Sequence, residues 1–168
     1  MSLSKPLRRI VFVGLALAMA TALGACSFTP VYSGTLASQP SLELAYAKPS
    51  SRLEQVIYQE LALRLGSSDA AAAPLAQVTV SSSAATIGLS ATANPNKPQR
   101  VTVTATLTVT RRDGTAGRPL SFTRQASADY TTSGQVLADN AAAVEAGERA
   151  AKAAAESLRL ALLASLSR

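Results

Sequence analysis

Residues 101–110 alternate without a break. Val101, Val103, Ala105, Leu107 and Val109 are separated by Thr102, Thr104, Thr106, Thr108 and Thr110. A period of two suits an extended chain, whose successive side chains point to opposite faces, and suits no helix. Valine and threonine are β-branched, so the extended backbone costs them little rotamer freedom. One face of this strand is apolar and the other carries hydroxyls. Such a strand belongs to an antiparallel sheet that is covered on one side only. The rest of the chain must supply the neighbouring strands and the cover.

Both are legible around it. Asn94-Pro95-Asn96-Lys97-Pro98 is a turn ahead of the strand. Behind it, residues 111–119 form a hairpin connection with Asp113-Gly114 as the turn signal. The returning strand carries Leu120, Phe122, Ala126, Ala128 and Tyr130 on one side, and Arg124 intrudes in the same row. A slipped register or a bulge would account for it, and so would a partner for its charge. Upstream, Val78 with Val80, and Ile87 with Leu89, mark a second strand over residues 75–89, ragged enough to bulge. Leu42, Leu44 and Tyr46 alternate as a first strand.

Two stretches change period to that of a helix. Ser51 stands three residues before Glu54, a capping box, and Leu53, Val56, Ile57, Leu61 and Leu65 follow at helical spacing up to Gly66. The spacing predicts a helix over 52–65. A second, alanine-rich helix is predicted over 135–166. Val136 or Leu137, Ala141, Val144, Ala151, Ala155, Leu158, Leu162 and Leu166 form its apolar side, and Glu145, Arg149, Lys152, Glu156 and Arg159 a charged stripe. The expected fold is α+β: a four-stranded, mostly antiparallel sheet with two helices on one face, in the order β-α-β-β-β-α. It occupies residues 41–168 as one domain.

The start of the chain has another character. Lys5, Arg8 and Arg9 precede an apolar run over residues 10–23, and Leu23-Gly24-Ala25-Cys26 closes it. A positive start, a short apolar core and small residues at the end make a secretory signal. The run is shorter than the about 20 residues a spanning helix needs. Cys26 is the only cysteine, so no intrachain disulfide exists to employ it. The pattern reads as a lipoprotein processing site, with Leu23, Gly24 and Ala25 as its motif and Cys26 as the acylated residue, carrying palmitate-type chains. An ordinary signal peptide cut after small residues is the alternative. Residues 1–25 are then the signal, and residues 26–40 a lipidated tether. The formal charge of +6 includes three cations of the signal, so 13 − 10 = +3 remains behind it. That mild excess gives no indication of nucleic acid.

No histidine occurs anywhere in the chain. The usual general base, the commonest zinc ligand and the Ser-His-Asp triad are excluded together. No phosphate-cradling glycine motif occurs either. The reading is a non-enzyme, with no cofactor beyond the covalent lipid and no metal. What remains is cationic. Arg111, Arg112 and Arg118 fall at one end of the third strand, and Lys97 and Arg100 at the other. With Arg124 they are candidates for contact with lipid phosphates, which arginine forks suit bidentately. Solvated hairpin charges that discourage edge pairing are the competing account.

The chain resembles the lipopolysaccharide-assembly lipoprotein family LptE in its alphaproteobacterial form. The residues that carry the resemblance are Leu23-Gly24-Ala25-Cys26, Phe28-Thr29-Pro30-Val31-Tyr32 and Gly34, with Ser27 where such proteins place glycine and Ser33 inserted before Gly34. The element order over residues 42–166 is similar too. The resemblance implies an outer-membrane lipoprotein held by its lipid at the periplasmic face, since Ser27 is not the aspartate of inner-membrane retention. It further implies a plug and folding partner for the LptD-type β-barrel, and contact with lipopolysaccharide. An auxiliary lipoprotein of an ABC-type lipid transporter is the alternative, as is a structural outer-membrane lipoprotein without a ligand.

Overall fold

The computed structural model describes residues 42–88, 96–114 and 117–166. They belong to a compact unit over Ser41–Arg168. In chain order it contains β1 (Ala45–Tyr46), α1 (Arg52–Leu65), β2 (Leu75–Thr86), β3 (Lys97–Thr110), β4 (Leu120–Thr132) and α2 (Val136–Leu166). The sheet order is β1-β2-β3-β4, with β1 parallel to β2 and the other pairs antiparallel. The α+β architecture read from the sequence is the one observed.

β3 is the middle of the molecule. Val101, Val103, Ala105, Leu107 and Val109 are buried under the helices, and the threonines between them face the other side. On the cover, α1 contributes Val56, Ile57, Leu61 and Leu65, and α2 contributes Ala146, Ala150, Ala151, Ala154, Ala155, Leu158 and Leu162. The alanines let α2 lie close to α1 and the sheet. Gly147 also faces this bed: a Cβ there would meet the Leu53 Cδ2 at 3.7 Å and the Val101 Cγ1 at 4.0 Å, ordinary contact distances.

α1 spans the predicted residues. Ser51 caps it, its hydroxyl accepting the Glu54 N–H at 3.2 Å, while the Glu54 carboxylate reaches back to the Ser50 N–H at 2.6 Å and Ser50 hydroxyl at 2.8 Å. The reciprocal bond lands one residue earlier than in the ordinary capping box. Gly66 ends the helix at φ 83°, and its N–H donates to the Ala62 carbonyl.

Four expectations are corrected. The first strand is two residues long, because Glu43 has φ 40°, and a left-handed residue cannot continue an extended chain. Leu44 is still buried and bridges to Ser67. β2 carries no bulge: its register against β3 runs unbroken from Leu75↔Thr110 to Thr86↔Gln99, and the serines take their places in it. The apolar side of α2 is shortened, although Ala151, Ala155, Leu158 and Leu162 are buried as expected. Val136, Leu137, Val144 and Leu166 are exposed, and burial begins at Ala146. α1 has 14 residues and α2 has 31, so at about 1.5 Å per residue the longer helix outruns its cover. Arg159, placed on the charged stripe, is 5% exposed. It holds the Glu156 carboxylate in a fork, with Nε at 3.0 Å and an Nη at 2.6 Å.

Candidate functional site

The processing motif Leu23, Gly24, Ala25 and Cys26, and residues 27–41 behind it, lie outside the described residues, as do Leu89 and most of the turn before β3. The cationic positions are all described, and the sheet separates them as expected. Lys97 opens β3, and Arg111 and Arg112 follow its last residue, Thr110. The strand's 14 residues put the two ends about 45 Å apart at ~3.4 Å per residue.

At the hairpin end, Arg111, Arg112 and Arg118 are exposed. Gly114 turns the chain with φ 78° and open space around it. Here the connection between β3 and β4 carries three guanidinium groups within eight residues of chain. At the other end the charge is largely answered. Arg100 lies opposite Asp129 in the β3–β4 register, and its Nε and Nη2 donate to the two carboxylate oxygens at 2.6 and 2.9 Å. The guanidinium's hydrogen bonds hold the Asp129 carboxyl below the usual carboxylate range. Arg149, from α2, donates to the Asp129 carbonyl at 2.9 Å. Lys97 lies opposite Thr132, in the row of β3 that faces away from this pair.

Arg124 sits in the apolar row of an unbroken register, opposite Ala105. Neither slip nor bulge is present. β4 is an edge strand, and the side chain leaves over that edge, exposed, with Nη1 donating to the Thr123 carbonyl at 2.8 Å. An edge lets a long cation reach water from a row that is otherwise half-covered.

Among the described residues no helix covers the sheet's other face. Thr102 pairs with the Ser127 hydroxyl at 2.9 Å and Thr106 with that of Thr123 at 2.8 Å, so the threonines of β3 are tied across the strands. Arg100 and Asp129 are the only charged side chains in the rows of β2, β3 and β4 that face this way, and they neutralise each other.

Two features escaped the sequence reading. One is an ion cluster joining the helices, in which Glu156 accepts from Arg159 and lies 3.8 Å from Arg64 of α1. These cations hold the Glu156 carboxyl below its ordinary range, the hydrogen bond from Arg159 first. The other is a cavity of about 330 Å³ between the start of α1 and residues 143–148 of α2, lined by Leu53, Ala84, Val101, Val144, Gly147 and Glu148 among others. At its rim Arg52 Nε donates to Glu148 at 2.9 Å. No signal short of the tertiary fold brings residues from α1, β2, β3 and α2 together.

Among the described residues no group of histidine, cysteine or carboxylate side chains could hold a metal ion, and no helix is long and apolar enough to cross a membrane. The chain matches the model of the LptE family, described as lipopolysaccharide-assembly, over residues 40–162. Among solved structures it is similar to the rare lipoprotein B of Shewanella oneidensis, with 18% identity and a TM-score of 0.53, covering 74% of this chain and 94% of that one. A minor lipoprotein of Acinetobacter baumannii is 15% identical with a TM-score of 0.49, covering 71% of this chain and 89% of that one. No curated protein matches the chain in sequence.

Proposed function

Because the chain belongs to the LptE family of lipopolysaccharide-assembly proteins, we propose that it is a lipid-anchored, non-catalytic component of lipopolysaccharide transport at the outer membrane. Cys26 carries the lipid, after processing at Leu23-Gly24-Ala25. The folded unit is the plug and folding partner of an LptD-type β-barrel. A barrel wide enough to pass a glycolipid leaves a lumen to be filled, and a compact sandwich with one hydroxyl-lined face suits a polar wall. By binding the folded barrel and not the unfolded one, it shifts the barrel's folding equilibrium by mass action.

Contact with lipopolysaccharide is assigned to the hairpin arginines Arg111, Arg112 and Arg118. Their exposure together at one end of the sheet is the observation that supports this assignment. Lys97 and Arg124 are secondary, and Arg100 is committed to Asp129. Guanidinium forks pair with phosphate oxygens through two parallel bonds.

The test of the partnership is co-purification of the tagged, full-length chain from a Gram-negative envelope. A large heat-modifiable barrel in the eluate is the expected result. An inner-membrane ABC transporter in its place would overturn the reading. For the ligand, replacing Arg111, Arg112 and Arg118 by glutamate should reduce lipopolysaccharide capture by roughly tenfold or more, as loss of several charge-assisted bonds requires. Unchanged capture would reject the hairpin as the contact.

A further inference from the structure

Among the described residues, an unpaired stretch of strand edge and an apolar cavity meet at one place. β1 accompanies β2 only at Leu75 and Ala76. The even-numbered residues of β2 turn their backbone groups outward, away from β3. The Ala76 carbonyl accepts from the Ala47 N–H at 3.0 Å, and the Val78 N–H donates to the Tyr58 hydroxyl at 2.8 Å. Continuing that alternation, Val80, Ser82, Ala84 and Thr86 present N–H and C=O along an edge that no described strand pairs with. Residues 81–86 are exposed. Natural edges are commonly guarded by charge, proline or a bulge. Residues 80–86 contain no charged residue and no proline, and their register has no bulge.

The cavity of about 330 Å³ opens beside this edge, with Ser82 and Ala84 in its wall and Leu53, Val101 and Val144 around it. The geometry points to a docking site for an extended, uncharged segment of the barrel partner, which adds a strand to residues 80–86 and sets one apolar side chain in the cavity. Main-chain bonds supply the hold and the pocket supplies the choice. The inference rests on the proposed barrel partnership. A second copy of β2 paired about Ser83 sets Ser82 against Ala84 across the pair and leaves the cavity unfilled; pairing about Ser82 would bring Val80 to it, and a concentration-dependent dimer in place of barrel capture would overturn the choice of partner. A charged side chain is a poor occupant, since Arg52 and Glu148 at the rim already answer each other at 2.9 Å.

Proline tests the edge. At Ser82 and Ala84 the N–H is not used by β3, so Ser82→Pro with Ala84→Pro removes donors to an incoming strand and leaves the β2–β3 ladder intact. The full-length double variant is compared with wild type for barrel co-purification, and its cooperative thermal unfolding is followed by circular dichroism. Capture reduced by roughly tenfold or more, with unfolding still cooperative, supports the site. Undiminished capture overturns the site and leaves the partnership standing. No capture even by wild type overturns both. If the prolines abolish folding, Val144→Asp decides, since Val144 is 60% exposed and tolerates a charge. Reduced capture then supports the site, and capture equal to wild type rejects it.

Discussion

The Tyr58 hydroxyl, on α1, accepts the Val78 N–H, on β2, at 2.8 Å. A side chain takes the place of a strand. β1 has diverged from β2 by this point, and the buried N–H would otherwise have no acceptor. Tyr46 completes the arrangement, its ring edge-on to Tyr58 at a centroid distance of 5.7 Å and its hydroxyl donating to the Gly66 carbonyl at 3.1 Å.

Tyr58→Phe keeps the ring and deletes the acceptor. It should destabilise the fold by about 1–3 kcal/mol, the cost of leaving one buried donor unsatisfied. Chemical denaturation should show a lower midpoint with an unchanged slope. A midpoint equal to wild type would mean that water serves Val78 equally well.

Burial pushes the Tyr46 hydroxyl up to about 12 from its ordinary 10.0. The neutral form is the one favoured in the fold. Its stabilisation is therefore complete below pH 10 and is lost as pH rises through the window from 10 to about 12. Stability measured across that window should fall less steeply in Tyr46→Phe than in wild type.

The Arg159 side chain is 6% exposed and that of Glu156 is 40% exposed. Glu156→Gln leaves the guanidinium without its carboxylate and should cost roughly 2–3 kcal/mol, toward the low end for a broken buried pair because Glu156 is half in water. Arg159→Met should cost less, since it removes the buried charge itself. The carboxyl is held low in the fold, so its contribution is present above the ordinary glutamate value and is lost as pH falls through the depressed one. In Glu156→Gln that part of the acid limb should disappear.

Ala150 is fully buried in α2. Ala150→Leu should cost about 1–3 kcal/mol by forcing the helix off its bed. Leu107→Ala, at a position with 0% exposure in β3, should cost about 2–5 kcal/mol. Leu63→Ala, at 80% exposure, should be nearly silent in the same thermal melts.

What could be read in the sequence was whatever short-range chemistry decides. Ser51, Glu54 and Gly66 bounded α1 to the residue, because capping is settled within a few positions. The Val/Thr alternation located β3 and its covered face. Long helices are harder: Val144 lies about five turns from buried Leu162 on the same line of α2, and it is exposed because the cover ends before it, while Arg159 is buried at the margin of a face wider than its apolar spacing indicates. The Arg100–Asp129 pair was within reach. A hairpin register centred beside Gly114 makes paired residue numbers sum to 229, and 100 + 129 does so. The cavity was not within reach, because four elements contribute to it. The proposed lipid site at Cys26 and the proposed role of the hairpin cations rest on the chain's chemistry alone.

β1 also sets how the unit meets a mechanical load. A chain tethered upstream of Leu42 transmits any pull first to Leu44 and the two residues of β1, held by the Ala45 N–H on the Pro74 carbonyl and the Ala47 N–H on the Ala76 carbonyl. β3 shares long antiparallel ladders with both its neighbours, and β4 turns into α2 within three residues. Tension along the tether therefore peels β1 and loads α1 before it reaches the hairpin. Under such a load β1 is the mechanical fuse, and the β3–β4–α2 block behind it keeps its shape.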